Sequence, residues 1–148
     1  MRKTFIKATA LFATAAAIST AAAADVRALS QERIKVKYGN EHFTVQMFDN
    51  PTANDFLAKL PLTIKLSDYG GVEKYHALRQ PLSMQNAPKG DDPELMELGY
   101  YHPSQWLAFY YGPMDYWAGK VPLGKIHATA AQVKNIPANV NVVIERVK

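Results

Sequence analysis

The sequence contains no cysteine among its 148 residues. This absence excludes disulfide bonds, thiolate metal sites and a cysteine nucleophile. The chain also lacks internal repeats and long charge runs, which argues against a repeat architecture and against a charged tail. With 48% hydrophobic residues it has enough apolar side chains to bury a core, and its length predicts one domain.

The excess of positive charge is concentrated at the N-terminus. Arg2, Lys3 and Lys7 supply three of the 17 basic residues, and the remaining 14 face 13 acidic residues, which leaves a net charge of +1. A surface for nucleic acid or acidic membranes needs basic residues clustered on the folded domain. We therefore expect neither nucleic acid nor a membrane among the partners of the folded domain.

Residues 1–24 have the pattern of a secretory signal peptide. A positive region precedes an apolar, alanine-rich stretch, and Ala22 and Ala24 supply the small residues that a signal peptidase needs before Asp25. The alternative is an uncleaved membrane anchor, but a spanning helix needs about 20 strongly apolar residues, and this stretch is shorter and contains several Ser and Thr residues. We expect a bacterial protein exported to the periplasm or the medium, with a flexible lead-in over residues 25–33.

Most of the remaining sequence alternates apolar and polar residues, which is typical of half-buried strands. Strands are predicted near 34–38, 43–47, 62–66, 100–101, 107–111, 121–127 and 140–147, and short helices near 52–59 and 130–135. Residues 73–93 are polar and rich in Pro and Gly, which predicts a long loop with at most brief strands or helical turns. Many short strands predict an all-β fold, and we expect a closed barrel over residues 34–148 because closure removes edge strands.

Three segments carry motifs that identify a family. They are Gly39–Tyr75, which ends in the specific run SDYGGVEKY, the aromatic block YYHPSQWLAFYYG at Tyr100–Gly112, and PLGKI at Pro122–Ile126. Together they resemble the bacterial cyclophilin-like proteins, which are small β-barrel domains with a cyclophilin-type fold. The resemblance implies a barrel of about eight strands capped by a helix, in agreement with the alternation.

Motifs for catalysis or metal binding are scarce. True cyclophilins carry a catalytic arginine in a Phe-His-Arg signature, which this sequence lacks, and Arg79 in the long loop is the one plausible substitute. The four histidines match no zinc spacing, and the acidic residues from Asp91 to Glu97 are interpreted as a solvated loop rather than a calcium site. We expect no metal and no cofactor.

Aromatic residues are the main candidates for binding. Adjacent strand residues face opposite sides, so neither Tyr100–Tyr101 nor Tyr110–Tyr111 can point inward as a pair, and some of these rings must face outward or line a rim. We expect one concave site at a barrel mouth, bordered by Tyr69, Glu73, Tyr75, Arg79, Tyr101 and Trp106. In it, Glu73 and Arg79 would orient a polar group while the rings sandwich an apolar one. The competing interpretation is a surface ion pair among aromatics that fill the core.

Two functions follow from these observations. The preferred one is an exported, non-catalytic module that binds a peptide segment or a small planar ligand. The alternative is a divergent peptidyl-prolyl cis-trans isomerase acting on exported proteins. The sequence leaves the oligomeric state open.

Export is tested by the mass of the mature protein. Protein purified from its own host should begin at or within a few residues of Asp25, because the signal peptidase would cut after Ala24. Intact mass spectrometry measures this directly. Full-length protein retained in the membrane fraction would contradict the prediction.

Overall fold

The computed structural model describes residues 9, 10, 13 and 25–148, so the predicted signal peptide lies almost entirely outside the described residues. In chain order the elements are β1 Leu29–Tyr38, β2 Glu41–Phe48, α1 Pro51–Ala58, β3 Leu62–Ile64, β4 Ser67–Tyr69, β5 Glu73–Ala77, β6 Gly90–Asp91, β7 Glu97–Tyr101, β8 Trp106–Tyr110, β9 Trp117–Ala118, β10 Lys120–His127, α2 Ala130–Lys134 and β11 Val142–Arg146. A short 3-10 helix, His102–Ser104, joins β7 to β8. Within the described residues, no helix has the length and apolar character needed to cross a bilayer.

Nine strands form one strongly curled antiparallel sheet in the order β3-β11-β1-β2-β10-β7-β8-β5-β4. The all-β prediction is confirmed, but the expected closure of the barrel is wrong. β3 and β4 are the two edge strands of the described sheet, each paired on one side, and they do not pair with each other. The cause lies in one segment that changes partner. Its first part, β3, pairs with β11, whereas β4 pairs with β5 after only two intervening residues.

Alternation along the strands places the core on the inner face of the curled sheet. Ile34 and Val36 of β1 and Val45 and Met47 of β2 are fully buried there, as their spacing predicts. Helix α1 covers part of this core with Phe56. Burial of such side chains contributes roughly 1.5–3 kcal/mol each to folding.

Helix α1 begins where the sequence predicts. The side chain of Asn50 accepts a hydrogen bond of 2.8 Å from the backbone N–H of Ala53, and Pro51 occupies the first turn. This cap satisfies one of the backbone donors that a helix start leaves free, and proline has no such donor to satisfy.

The predicted long loop is partly wrong, because its first five residues form β5. This strand lies between β4 and β8. Both Glu73 and Lys74 are buried in it, so the strand is polar on both faces and shows no apolar alternation. The rest of the loop is anchored to the core: the backbone N–H of Leu82 donates to the hydroxyl of buried Tyr100 at 3.1 Å.

The lead-in is also shorter than expected, because β1 begins at Leu29 rather than at Ile34. Its first half pairs with the end of β2 after a register shift between Leu29 and Arg33. The shift interrupts the alternation of apolar and polar residues, so the sequence pattern does not predict this part of the strand.

A separate two-stranded ribbon is formed by β6 and β9, in which Gly90 pairs with Ala118 and Asp91 with Trp117. Gly90 lies so close to the opposing strand that an added Cβ would come within 2.6 Å of the Trp117 carbonyl oxygen. The ribbon packs beside β10. The ring of Trp117 lies beside Lys120 and Tyr101 on the outer face of the sheet, which is the face opposite the core.

The turn between β4 and β5 tests the conformational role of two glycines. Gly70 and Gly71 have φ values of +62° and +66°, in the left-handed region that valine strongly disfavours. We expect Gly70→Val with Gly71→Val to lower the free energy of unfolding by about 1–3 kcal/mol, seen as a fall of several degrees in Tm. Asparagine tolerates this region, so Gly70→Asn with Gly71→Asn is the matched control and should cost less. Equal losses for both pairs would contradict a conformational cause.

Candidate functional site

The outer face of β8 carries the aromatic residues singled out in the sequence. Leu107 and Phe109 of this strand point into the core, so Trp106 and Tyr110 point to the opposite face. Tyr111, just beyond the strand, returns to the core and donates a hydrogen bond to Asp68. The expected barrel-mouth location is therefore wrong for Trp106, which lies on the outside of the sheet.

Five aromatic side chains form a connected cluster that we call the aromatic surface: Tyr69, Tyr75, Tyr101, Trp106 and Trp117. Tyr75 stacks on Trp106 with 3.8 Å between ring centroids and 17° between ring planes. Tyr69 and Tyr101 meet Trp106 edge to face at 5.4 and 6.3 Å, and Trp117 of the ribbon meets Tyr101 at 6.1 Å. The structure thus brings together the four aromatic residues that the sequence predicts and adds Trp117.

Strand register explains why these rings meet. Trp106 lies directly opposite Tyr101 on one side and Ala77 on the other, and cross-strand neighbours share a face of the sheet. Tyr75 is opposite the small residue Ala108, which leaves room for its ring to lean against Trp106. Tyr69 is 52% exposed and Trp117 is 50% exposed, so the two ends of the surface are open to solvent.

Glu73 lies on the same face but does not line the aromatic surface. It is only 4% exposed and lies opposite Tyr110. Burial raises the pKa of its carboxyl group above the usual value, against the opposing attraction of Lys120. Glu73 is therefore part of a buried cluster, and its predicted role in orienting a ligand on the surface does not fit this position.

Lys120 is the centre of that buried cluster. Its ammonium group lies 4.8 Å from the ring centroid of Tyr110 and 5.7 Å from that of Trp117, and the residue is 5% exposed. Neither its Nζ nor the Tyr110 hydroxyl has a hydrogen-bond partner among the described residues. Burial lowers the pKa of Lys120, while nearby carboxylates, Glu73 first, oppose that change. The two rings contribute cation–π stabilisation in place of hydrogen bonds.

Arg27 holds the ribbon to the sheet beside this cluster. Its guanidinium donates to both carboxylate oxygens of Asp91, at 3.1 and 2.7 Å, and to both of Glu97, each at 2.9 Å. Asp91 and Glu97 are buried, so interpreting them as a solvated loop was wrong, whereas Asp92 and Glu94 are exposed. Arg27 is more than 60 residues from Asp91 and Glu97 in the sequence, so a local sequence pattern does not predict this contact.

Arg79, like Glu73, is a predicted site residue that does not line the aromatic surface. It lines a cavity of about 550 Å³, which we call the seam cleft, between β3, α1 and the chain that follows β5. The residues around it are Phe56, Lys59, Leu62, Thr63, Ile64, His76, Leu78, Arg79 and Gln80. None of the rings of the aromatic surface is among them, so the expected single site is two separate regions.

The buried position of Glu73 predicts a pH-dependent stability. Because its pKa is higher in the folded than in the unfolded protein, the folded state binds more protons at pH values just above 4.5, and stability falls as pH rises through that window. Glu73→Gln removes this titration, so we expect the stability of the variant to fall less than that of wild type between pH 4.5 and pH 7. Urea unfolding at both pH values measures the difference. Glu32→Gln, at an exposed position, is the control. If Glu73→Gln lost as much stability as wild type between the two pH values, the assignment would be refuted.

Comparisons with known proteins agree with this fold. The model of the cyclophilin-like family matches residues 36–145. The solution structure of a hypothetical protein from Archaeoglobus fulgidus superposes with a TM-score of 0.57 at 17% sequence identity, covering 78% of this chain and 95% of that one, which supports the fold alone. No curated protein matches the chain. Because the family model spans the sheet from β1 to β11, the chain belongs to the cyclophilin-like family.

Proposed function

We propose that the protein is an exported, non-catalytic module that binds an extended peptide segment across the aromatic surface. The observation that carries this proposal is the row of five neighbouring rings, four on the outer face of the sheet and Trp117 on the ribbon, with its two ends half exposed. Exposed aromatic surfaces of this kind are typical of interaction sites, since each ring offers a flat apolar face beside a polar tip. Export rests on the sequence of residues 1–24.

The stacking of Tyr75 on Trp106 favours a peptide over a small planar ligand. At 3.8 Å these two rings already fill the space between them, so a planar molecule cannot be sandwiched there without separating them. A peptide can instead lie across the ring edges and the open faces of Tyr69 and Trp117. Proline-containing segments are the best match, because they are preformed in an extended conformation and pack on aromatic side chains at little entropic cost.

The isomerase alternative depends on Arg79. Isomerisation requires an apolar pocket for the proline and a cation close to its amide, and the seam cleft combines Arg79 with Phe56 and Leu62. That cation is not beside the aromatic surface, so a peptide bound there would not meet it. This separation favours binding without catalysis. Acceleration of cis-trans exchange in a short X-Pro peptide, lost in Arg79→Ala, would instead establish the alternative.

Peptide binding is tested with a fluorescence titration. A ten-residue peptide containing Pro-Pro should change the tryptophan emission of the protein, because it packs against Trp106 and Trp117. We expect Trp106→Phe to reduce the emission change and Tyr101→Ala to weaken affinity about tenfold, the effect of losing one well-packed aromatic contact.

Two controls accompany this titration. Leu29→Ala removes an exposed apolar side chain from β1, which pairs with none of the strands that carry the rings, and Arg79→Ala alters the seam cleft, so both should bind normally. The matched peptide with Ala-Ala in place of Pro-Pro should bind more weakly. Peptide binding that is insensitive to Tyr101→Ala and leaves the emission unchanged would refute the proposed surface.

A further inference from the structure

The seam cleft exists because two chain segments diverge. β4 and β5 are paired from Tyr69 and Glu73 to Ser67 and Tyr75, and the last link beyond this ladder is a 2.9 Å hydrogen bond between His76 Nδ1 and the carbonyl oxygen of Lys65. Beyond this point β3 turns to pair with β11. The gap that remains is the cavity of about 550 Å³, a size common for small-molecule sites.

The walls of the cleft are apolar on one side. Phe56 of α1 and Ile64 of β3 are buried at its base, and Leu62 and Leu78 are partly buried beside them. These side chains come from three different parts of the chain. They offer a contiguous apolar contact for a small hydrocarbon group.

The titratable residues that line the cleft, Lys59, His76 and Arg79, are all basic. Lys59 is occupied by a 2.9 Å ion pair with Asp55. Because a carbonyl oxygen can only accept, His76 donates from Nδ1 to Lys65 and leaves Nε2 available. Arg79 is exposed, and in the part of the chain that the structure describes it has no ion-pair partner. A guanidinium in this state binds a carboxylate through two parallel hydrogen bonds.

From this combination we propose that the seam cleft is a binding site for a small ligand with an apolar group and a carboxylate. The apolar group packs on the partly exposed Leu62 and Leu78, which lie over the buried Phe56, and the carboxylate pairs with Arg79. The ligand is either a free carboxylic acid or the C-terminal residue of a peptide, since both present the same chemistry. A peptide would bind more tightly than a free acid if its backbone also formed hydrogen bonds with the open edge of β3.

This site is independent of the peptide site proposed on the aromatic surface. None of the rings of that surface lines the cleft, and Arg79 does not contribute to the ring contacts. Failure of one proposal therefore leaves the other standing.

The experiment is calorimetric titration of the full mature chain with hexanoate and with N-acetyl-leucine. Hexanamide and N-acetyl-leucinamide are the matched neutral ligands. We expect at least one acid to bind about tenfold or more tightly than its amide, because the amide cannot form the paired bonds to Arg79. Tighter binding of N-acetyl-leucine identifies a peptide C-terminus as the source, and tighter binding of hexanoate identifies a free acid.

Variants locate the bound acid. Arg79→Gln should remove the preference for acid over amide, and Thr63→Trp should abolish binding of both by filling the cleft from an exposed position on β3. Arg33→Gln removes an exposed arginine from β1 and should bind like wild type. Thermal melts establish that each variant is folded. Absence of binding by both acids, equal affinity for acid and amide, or full binding by folded Arg79→Gln would overturn the proposal.

Discussion

The segment from Leu62 to Tyr69 forms both edges of the nine-stranded sheet, and the rest of the architecture follows from this double role. Its first part satisfies the backbone of β11 and its second part that of β5, so the curled sheet is joined covalently at the point where its hydrogen-bonded ladder is interrupted. A single straight strand could not follow both neighbours, because they diverge around the core. The interruption produces the seam cleft, and the turn after β4 brings Tyr75 of β5 beside Tyr69.

The second constraint is the cost of burying charge on the outer face. Trp117 of the ribbon lies beside Lys120, and Tyr110 and Glu73 are buried on the same face. Such groups stabilise a fold only when other interactions offset their lost hydration. Two aromatic rings and surrounding carboxylates provide that offset for Lys120. The fourfold hydrogen bonding of Arg27 holds the ribbon in place over them. Because Trp117 belongs to the ribbon, this buried cluster also positions one end of the aromatic surface.

Sequence patterns predicted the parts of the fold that are specified locally. Alternation over residues 34–38 and the short helix near 52–59 depend on neighbours in the chain, and the structure has both as expected. The strand β5 was missed because buried Glu73 and Lys74 break the apolar pattern, and their burial depends on partners that only the folded sheet supplies. The contact of Arg27 is equally non-local, because Arg27 precedes β1 while its partners lie on β6 and β7. Alternation also predicted one buried tyrosine in each pair, but Tyr110 is buried as well, because the ribbon covers the outer face.

Tyr75 and His76 show why the predicted single site is two regions. As neighbours in a strand they must face opposite sides of the sheet, so Tyr75 joins the aromatic surface while His76 reaches Lys65 at the seam. Arg79 comes two residues after the end of β5 and lines the seam cleft. Residues close in sequence are therefore divided between two faces by strand geometry alone. This division explains why Tyr75 and Arg79, only four residues apart in the sequence, belong to separate regions of the molecule.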